Sequence, residues 1–275
     1  NYGAELQAFA LCTTVRKMGY DAELVNYENP SVTDYETPRL PYVSELVKNP
    51  VSFAFRLTTA KNFSARKAAF DSFNKKYELI GSLVKTQAEI EAKYDVAIVG
   101  SDQVWNSVIT CGDMTYFLSC INSSKTCKLA YAASFGYESF SADWAEQGRE
   151  ALSDFSQIGV RELEGKNLVK ALSGVDSSVV LDPTLLFRKA DWEKVISLGE
   201  IRNRVLEIAN HKQGYLFVYI AAERSRTIAF AKRVAKRANL RLVVVSGYRG
   251  FPFIGCGEDV SFVSVEEFLF LIQNA

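Results

Sequence analysis

The 275-residue sequence has little of what defines several common protein classes. It contains one histidine, His211, which argues against a histidine-rich metal site or a Ser-His-Asp triad among these residues. Its five cysteines include no Cys-x-x-Cys pair, and an odd number without a secretory segment predicts reduced thiols rather than zinc ligands or disulfides. No apolar run approaches the roughly 20 residues that span a bilayer. We therefore expect a cytoplasmic protein with no metal site, whose chemistry does not depend on His211.

Charge of one sign is not in excess either. Lys and Arg number 32, as do Asp and Glu, so the chain lacks the long-range field of a dedicated nucleic-acid binder. Hydrophobic residues make up 48%, which is enough for globular cores, and at about 150 residues per domain the length predicts about two domains.

One local charge excess lies within residues 56–76, where six basic residues and one acid alternate with aromatic side chains. Such a stretch is able to contact an anionic carrier or the inner face of a membrane. The alternative is a solvated helix face whose aromatic residues point inward.

Hydrophobic spacing predicts strands and helices that take turns along the chain. The predicted helices cover residues 4–18, 62–77, 141–153, 162–172 and 225–238, with another beginning after Ser264 and a short one after Thr86. The predicted strands cover 22–26, 95–99, 129–133, 157–160, 178–181, 215–221 and 240–245. This alternation predicts an α/β fold with parallel sheets, which bind ligands at the carboxyl ends of their strands.

The strand predicted at 95–99 runs directly into polar residues. Ser101 and Asp102 are suited to hold sugar hydroxyls or orient a phosphate, and Trp105 is suited to stack on a sugar face. The alternative is a glycine turn that caps a following helix, with Trp105 in the core.

Two further strands end in the same way. Ser134 follows residues 129–133, where small side chains let a ligand approach the backbone, although ordinary strand-to-loop packing explains it equally well. Arg161 follows residues 157–160 and presents a fork suited to carboxylate or phosphate, with a surface ion pair to Glu162 as the alternative. Asp182-Pro183 fits an ordinary turn better.

Asn1 and Gly3 stand where a strand would pass into the first helix, a place where backbone N–H groups attract anions. The alternative is that Asn1 caps the helix and Gly3 relieves a tight turn. The chain begins without a methionine and stops on a helical pattern, so we expect it to be part of a longer chain.

Five sequence blocks resemble, in order, the motifs of the polysaccharide pyruvyl transferase family. The blocks are residues 1–8 (NYGAELQA), 99–106 (VGSDQVWN), 131–136 (YAASFG), 160–162 (VRE) and 181–186 (LDPTLL). The resemblance implies two Rossmann-like lobes in a glycosyltransferase-B-like arrangement, with boundaries at 1–186 and 187–275. It also implies phosphoenolpyruvate as donor, no further cofactor, and as acceptor a sugar of a surface polysaccharide or of its carrier-linked precursor. The implied product is a pyruvyl ketal.

The resemblance also implies roles for the strand-end residues. Arg161 would clamp the donor, and the hydroxyls of Ser101 and Ser134 would form an anion cradle with the amides near Gly3. Asp102 would orient the acceptor hydroxyls or act as base. These roles follow from the family and from the chemistry that anionic donors and hydroxyl nucleophiles require.

The sequence departs from the family pattern at its end. The family normally carries a histidine motif shortly after the helix that matches residues 267–275, and this chain stops before it. We therefore expect an incomplete second lobe, a general acid beyond Ala275, and no turnover by residues 1–275 alone. Two other interpretations stay open, a sugar-nucleotide glycosyltransferase and a non-catalytic carbohydrate-binding protein.

Overall fold

The computed structural model describes residues 1–27, 40, 42, 47–84, 87–137, 142–220, 224–247 and 257–275. The chain forms two compact units. One comprises Gly3–Thr33 and Glu78–Phe187, and we call it the strand-end unit; the other comprises Asn1–Tyr2, Asp34–Tyr77 and Arg188–Ala275, and we call it the C-terminal unit. Each is α/β with parallel sheets, as the alternating pattern predicted. The lobe boundaries at 1–186 and 187–275 stay a prediction.

The strand-end unit contains two parallel sheets. Its strands are β1 (Leu24–Asn26), β2 (Ile80–Leu83), β3 (Val96–Val99), β4 (Cys127–Ala133), β5 (Gln157–Val160) and β6 (Ser178–Val179). Its helices are α1 (Tyr2–Lys17), α3 (Gln87–Lys93), α4 (Ala142–Ser153) and α5 (Leu163–Ser173), while α2 (Pro50–Lys76) belongs to the C-terminal unit. β1 pairs with β2, and the larger sheet has the order β3-β4-β5-β6.

In the larger sheet, the burial of apolar side chains determines how the strands align. Successive side chains of a strand point to opposite faces, and β3 alternates accordingly, with Ala97 and Val99 buried and Val96 and Ile98 exposed. Val160 at the end of β5 is completely buried and shares one core with Trp105. Apolar burial therefore fixes the register, and with it the point where each strand ends.

The C-terminal unit is built on a sheet of order β7-β8-β9. Its strands are β7 (Tyr215–Ile220), β8 (Arg241–Ser246) and β9 (Glu258–Asp259). Its helices besides α2 are α6 (Lys189–Ser197), α7 (Asn203–Ala209), α8 (Arg224–Ala238) and α9 (Val265–Gln273).

The structure confirms most predicted elements and extends one of them. The helix predicted at 62–77 begins at Pro50, because proline fits the first turn of a helix and Asn49 accepts a hydrogen bond from Ser52 N at 2.9 Å. β2, β9, α6 and α7 were not predicted. The capping residue Thr86 lies outside the described residues.

The basic stretch 56–76 lies on α2, and part of its charge is used within the protein. The Arg66 side chain is 5% exposed and donates to the Ser246 carbonyl at 2.8 Å. Lys67 pairs with Asp71, and Lys76 lies 3.1 Å from Glu266. Membrane contact through 56–76 stays a prediction. Over the described ranges we find no helix with the length and apolar character to cross a bilayer.

Glu267 holds the start of α9 to the chain before α7. Its carboxylate accepts hydrogen bonds from the backbone and side chain of Arg202, and from Ser264 N at 3.0 Å within a capping box. The Glu267 side chain is 1% exposed. Burial alone would raise its pKa, but the Arg202 and Ser264 hydrogen bonds outweigh burial and lower it.

We predict that Glu267→Gln destabilises the protein by about 1–3 kcal/mol at neutral pH. Glutamine keeps the capping geometry and removes the charge that Arg202 requires. Because the folded pKa of Glu267 lies below the unfolded value, its ionic contribution is present above that unfolded value and disappears as the pH falls through the folded pKa. Urea unfolding should therefore show a difference that shrinks on acidification. Exposed Glu207→Gln on α7 is the control, and a difference that grows on acidification would contradict the assignment.

Candidate active site

Polar residues that follow four neighbouring parallel strands meet at one edge of the larger sheet. Ser134 N donates to the Asp102 carbonyl at 2.9 Å, and Arg161 N donates to the Ala133 carbonyl at 3.1 Å. These bonds continue the sheet pairing beyond β3, β4 and β5, and they place Ser101, Asp102, Ser134 and Arg161 side by side. Asp182 follows β6 at the same edge. We call Ser101, Asp102, Arg161, Glu162 and Asp182 the strand-end cluster.

Arg161 is the cation of the strand-end cluster. Its Nε donates to Glu162 Oε1 at 2.6 Å, and its Nη1 lies 3.6 Å from one oxygen each of Asp102 and Asp182. Burial lowers the pKa of Arg161, but the hydrogen bond to Glu162 and the charges of Asp102 and Asp182 outweigh burial and raise it. One guanidinium thus faces three carboxylates, so the cluster carries excess negative charge when all are ionised.

Asp182 is the best-connected carboxylate of the cluster. It accepts hydrogen bonds from Ser101 Oγ at 3.2 Å, from Thr184 N at 3.0 Å and from Thr184 Oγ1 at 2.7 Å. Burial acts to raise its pKa, but these hydrogen bonds and the Arg161 charge lower it overall. Asp182 is therefore ionised at neutral pH and fixes the Ser101 hydroxyl.

Asp102 is the most accessible carboxylate of the cluster, with 41% of its side chain exposed. Its φ is +77°, a left-handed conformation that aspartate and asparagine tolerate better than most residues. Ser101 is only 1% exposed, and its amide donates to Gln7 Oε1 at 2.9 Å. The backbone around Asp102 is therefore held from both sides while its carboxylate faces outward.

Ser134 is buried at 1% exposure, and its hydroxyl accepts a hydrogen bond from Gly136 N at 3.1 Å. It follows that Ser134 shapes the turn after β4 and holds Asp102 through the backbone. Its predicted contact with substrate stays a prediction.

Trp105 lies in the core of the strand-end unit. Its side chain is 1% exposed, its ring stacks on Phe117 at 5.3 Å between centroids, and its Nε1 donates to the Tyr116 carbonyl at 3.1 Å. With the ring covered in this way, no face is available to a sugar, and the core alternative describes Trp105. Trp105 is therefore not part of the proposed site.

The positions of Asn1 and Gly3 do not test their predicted role in anion binding. Asn1 is exposed and directly precedes α1, and Gly3 is exposed in the first turn of that helix. Among the described residues no hydrogen bond links Gly3 to Ser101 or Arg161. The anion cradle near Gly3 stays a prediction.

Three residues at or next to the strand-end cluster were not predicted as site residues from the sequence. Asp182 was interpreted as a turn residue, although it follows a parallel strand just as Asp102 and Arg161 do. Glu162 was considered only as a surface partner of Arg161. Gln7 lies one turn into α1 and gives no local signal, because its contact with Ser101 is made over 94 positions of sequence.

No three His, Cys, Asp or Glu side chains in the described part of the chain are grouped so as to hold a metal ion. The four described cysteines, Cys12, Cys111, Cys120 and Cys127, are free thiols. Cys256 lies outside the described residues.

The structure is an α/β protein with a polar cluster at the carboxyl edge of a parallel sheet, the edge at which proteins of this class bind their ligands. A family model described as polysaccharide pyruvyl transferase matches residues 1–274. The chain therefore belongs to the polysaccharide pyruvyl transferase family, whose activity is that of a transferase. No curated protein and no solved structure shows significant similarity to the chain.

Gly100 is the residue on which the strand-end geometry depends most directly. Its φ is +115°, and a Cβ atom placed there would lie 2.1 Å from the carbonyl oxygen of Tyr131 in the neighbouring strand. The obstacle is backbone and cannot move aside like a side chain. Only glycine lets β3 turn so closely over β4 and present Ser101 and Asp102.

We predict that Gly100→Ala destabilises the strand-end unit by roughly 2–5 kcal/mol, the sum of a strained φ and a steric clash. The matched control is Gly174→Ala. Gly174 also has a positive φ, +72°, but nothing lies within 4 Å of its added Cβ, so a cost of about 1 kcal/mol is expected. Chemical denaturation of both variants provides the comparison, and equal losses would contradict the close approach at Tyr131.

Proposed function

We propose that this protein transfers pyruvate from phosphoenolpyruvate to two hydroxyls of a sugar in a surface polysaccharide or its carrier-linked precursor, forming a pyruvyl ketal. The observation that carries the proposal is the family match over residues 1–274. The strand-end cluster supports it with a guanidinium and an exposed carboxylate at the ligand-binding edge of a parallel sheet. A two-lobed, glycosyltransferase-B-like arrangement is part of the same proposal.

The reaction places defined demands on the site. Protonation of the enol methylene makes the adjacent carbon electrophilic, and the first sugar hydroxyl adds to it and gives up its proton. The second hydroxyl then forms its bond as the carbon–oxygen bond to phosphate breaks. Of the two hydroxyl protons released, one replaces the proton consumed at the methylene and the other leaves with phosphate. The site therefore needs a general acid, a base and groups that bind carboxylate and phosphate.

Asp102 is our candidate for the base. Its carboxylate is the most accessible of the cluster, and its backbone is fixed by Ser134 and by the chain at Ser101. Arg161 Nη1 lies 3.6 Å from one of its oxygens, so a cation stands beside the proposed base. The surrounding carboxylates also suit sugar hydroxyls, which donate hydrogen bonds readily to carboxylate oxygens.

Arg161 is our candidate for the donor clamp. Glu162 takes only its Nε, and neither terminal nitrogen donates a hydrogen bond to a described residue. Because Nη1 lies 3.6 Å from both Asp102 and Asp182, a carboxylate or phosphate of the donor would share the terminal nitrogens with these two aspartates. Because three carboxylates surround Arg161, the donor needs further partners. The proposed cradle of Ser101, Ser134 and the amides near Gly3 would supply them.

We predict that phosphoenolpyruvate raises the thermal unfolding midpoint of the protein, since a ligand that binds only the folded state stabilises it. Uridine diphosphate sugars should give no comparable shift. Stabilisation by nucleotide sugars alone would instead favour a glycosyltransferase and contradict the proposed function.

The role of Arg161 is tested separately by the Arg161→Ala variant in the same titration. It should weaken phosphoenolpyruvate binding by more than about fivefold, beyond the roughly 1 kcal/mol that a surface ion pair contributes. Arg149→Ala, at an exposed arginine of the same unit, should leave the affinity unchanged. If both variants bind as the parent does, Arg161 is structural while the proposed function stands.

A further inference from the structure

Helix α8 carries charge of one sign in a chain whose net charge is zero. Its 15 residues, Arg224–Ala238, include six basic residues and no acid. The positions are Arg224, Arg226, Lys232, Arg233, Lys236 and Arg237. The proposed reaction uses residues of the strand-end unit and gives this composition no role.

The two sides of α8 are chemically opposite. Ile228, Ala231 and Ala235 are buried and pack on the sheet of the C-terminal unit with Leu242 and Val244. On the far side, the spacing of four, three and four residues aligns one exposed stripe. This outer stripe consists of Arg226, Phe230, Arg233 and Arg237. At 1.5 Å per residue it extends for about 16 Å.

The outer stripe is not arranged for the stability of the helix. Arg233 and Arg237 are like charges four residues apart, as are Lys232 and Lys236, and such pairs destabilise a helix. The first turn contains no acidic residue to complement the helix dipole. Within the described part of the chain, Arg233, Lys236 and Arg237 form no ion pair. Their charge is thus directed to solvent.

Phe230 distinguishes this face from a helix face that is only charged and solvated. Its side chain is 62% exposed although it stands in the middle of the cations. Exposed aromatic side chains beside lysine and arginine are typical of surfaces that lie on lipid headgroups, where the ring enters the interface and the cations contact anionic lipids. An exposed face along one side of a helix also fits a flat bilayer, whereas single-stranded nucleic acids are held in grooves.

We propose that the outer face of α8 binds the surface of a bilayer containing anionic lipids. The face consists of the outer stripe together with Lys232 and Lys236. This differs from the membrane contact predicted for residues 56–76, where Arg66, Lys67 and Lys76 already contact other groups of the protein. The inference does not depend on the proposed function, because it concerns a surface of the C-terminal unit and not the strand-end cluster.

The test is sedimentation of the full chain with vesicles of phosphatidylcholine, with and without an equal share of phosphatidylglycerol. Binding should require phosphatidylglycerol and weaken as salt is added. The triple variant Arg233→Gln, Lys236→Gln, Arg237→Gln should bind on the order of 100-fold more weakly, given the contribution of each cation near an anionic surface. Glutamine is a good helix former, so the fold should be retained; an unchanged thermal midpoint checks this.

The matched control removes the same charge from α2 by Lys61→Gln, Lys67→Gln and Lys75→Gln. It should bind like the parent, and if it loses binding while the α8 triple variant does not, the proposal is wrong. Phe230→Ala should bind roughly tenfold more weakly, even at raised salt, because the contribution of the ring is apolar. Equal binding to both vesicle types, or displacement from vesicles by single-stranded DNA with no effect of Phe230→Ala, would also overturn it.

Discussion

The parallel pairing of β3, β4, β5 and β6 is the constraint from which the candidate site follows. In a parallel sheet all carboxyl ends lie at one edge, so residues distant in sequence become neighbours once the apolar strands are buried in register. Asp102, Arg161 and Asp182 belong to three separate segments, and no local sequence preference brings them together. Gly100 then permits the close turn over Tyr131 that directs the chain into this edge.

The electrostatics of the strand-end cluster limit what it is suited to do. Arg161 with Asp102, Glu162 and Asp182 makes an edge that is rich in acceptors and has a single cation. Sugar hydroxyls fit such an edge directly. Anionic phosphoenolpyruvate is accommodated only if the terminal nitrogens of Arg161 bind it and further N–H or O–H groups donate hydrogen bonds to it. In the proposed reaction the acceptor sugar would therefore lie at Asp102 and the phosphoenolpyruvate donor at Arg161.

The fold was predictable where periodicity was strong. Strands such as β5 and helices such as α5 follow from apolar spacing, and the position of polar residues after β3 and β5 indicated the edge where Asp102 and Arg161 lie. The start of α2 at Pro50 was missed because spacing alone does not reveal a cap. Asp182 was interpreted as a turn residue because Asp-Pro commonly begins turns. Its second role depends on contacts with Ser101 and Arg161 that only the folded sheet provides.

Trp105 shows the opposite limit. Its place next to Asp102 in sequence favoured a ligand contact, but the short turn after Asp102 carries the ring into the core against Phe117. Burying a large aromatic side chain contributes a large favourable free energy, and this favours a turn that places the ring in the core. Neighbours in sequence at a strand end therefore do not share one environment, and each has to be assigned by its own contacts.

Ketal formation by an Asp102→Asn variant is the most direct test of the account. Asparagine tolerates the positive φ at this position and removes only the proton-accepting charge. Mass spectrometry of an isolated polysaccharide precursor incubated with phosphoenolpyruvate and the intact natural protein should detect a pyruvyl group with the parent. The variant should give none while phosphoenolpyruvate still stabilises it. Pyruvylation by Asp102→Asn at the parent's rate would contradict the assignment of the strand-end cluster as the reaction site.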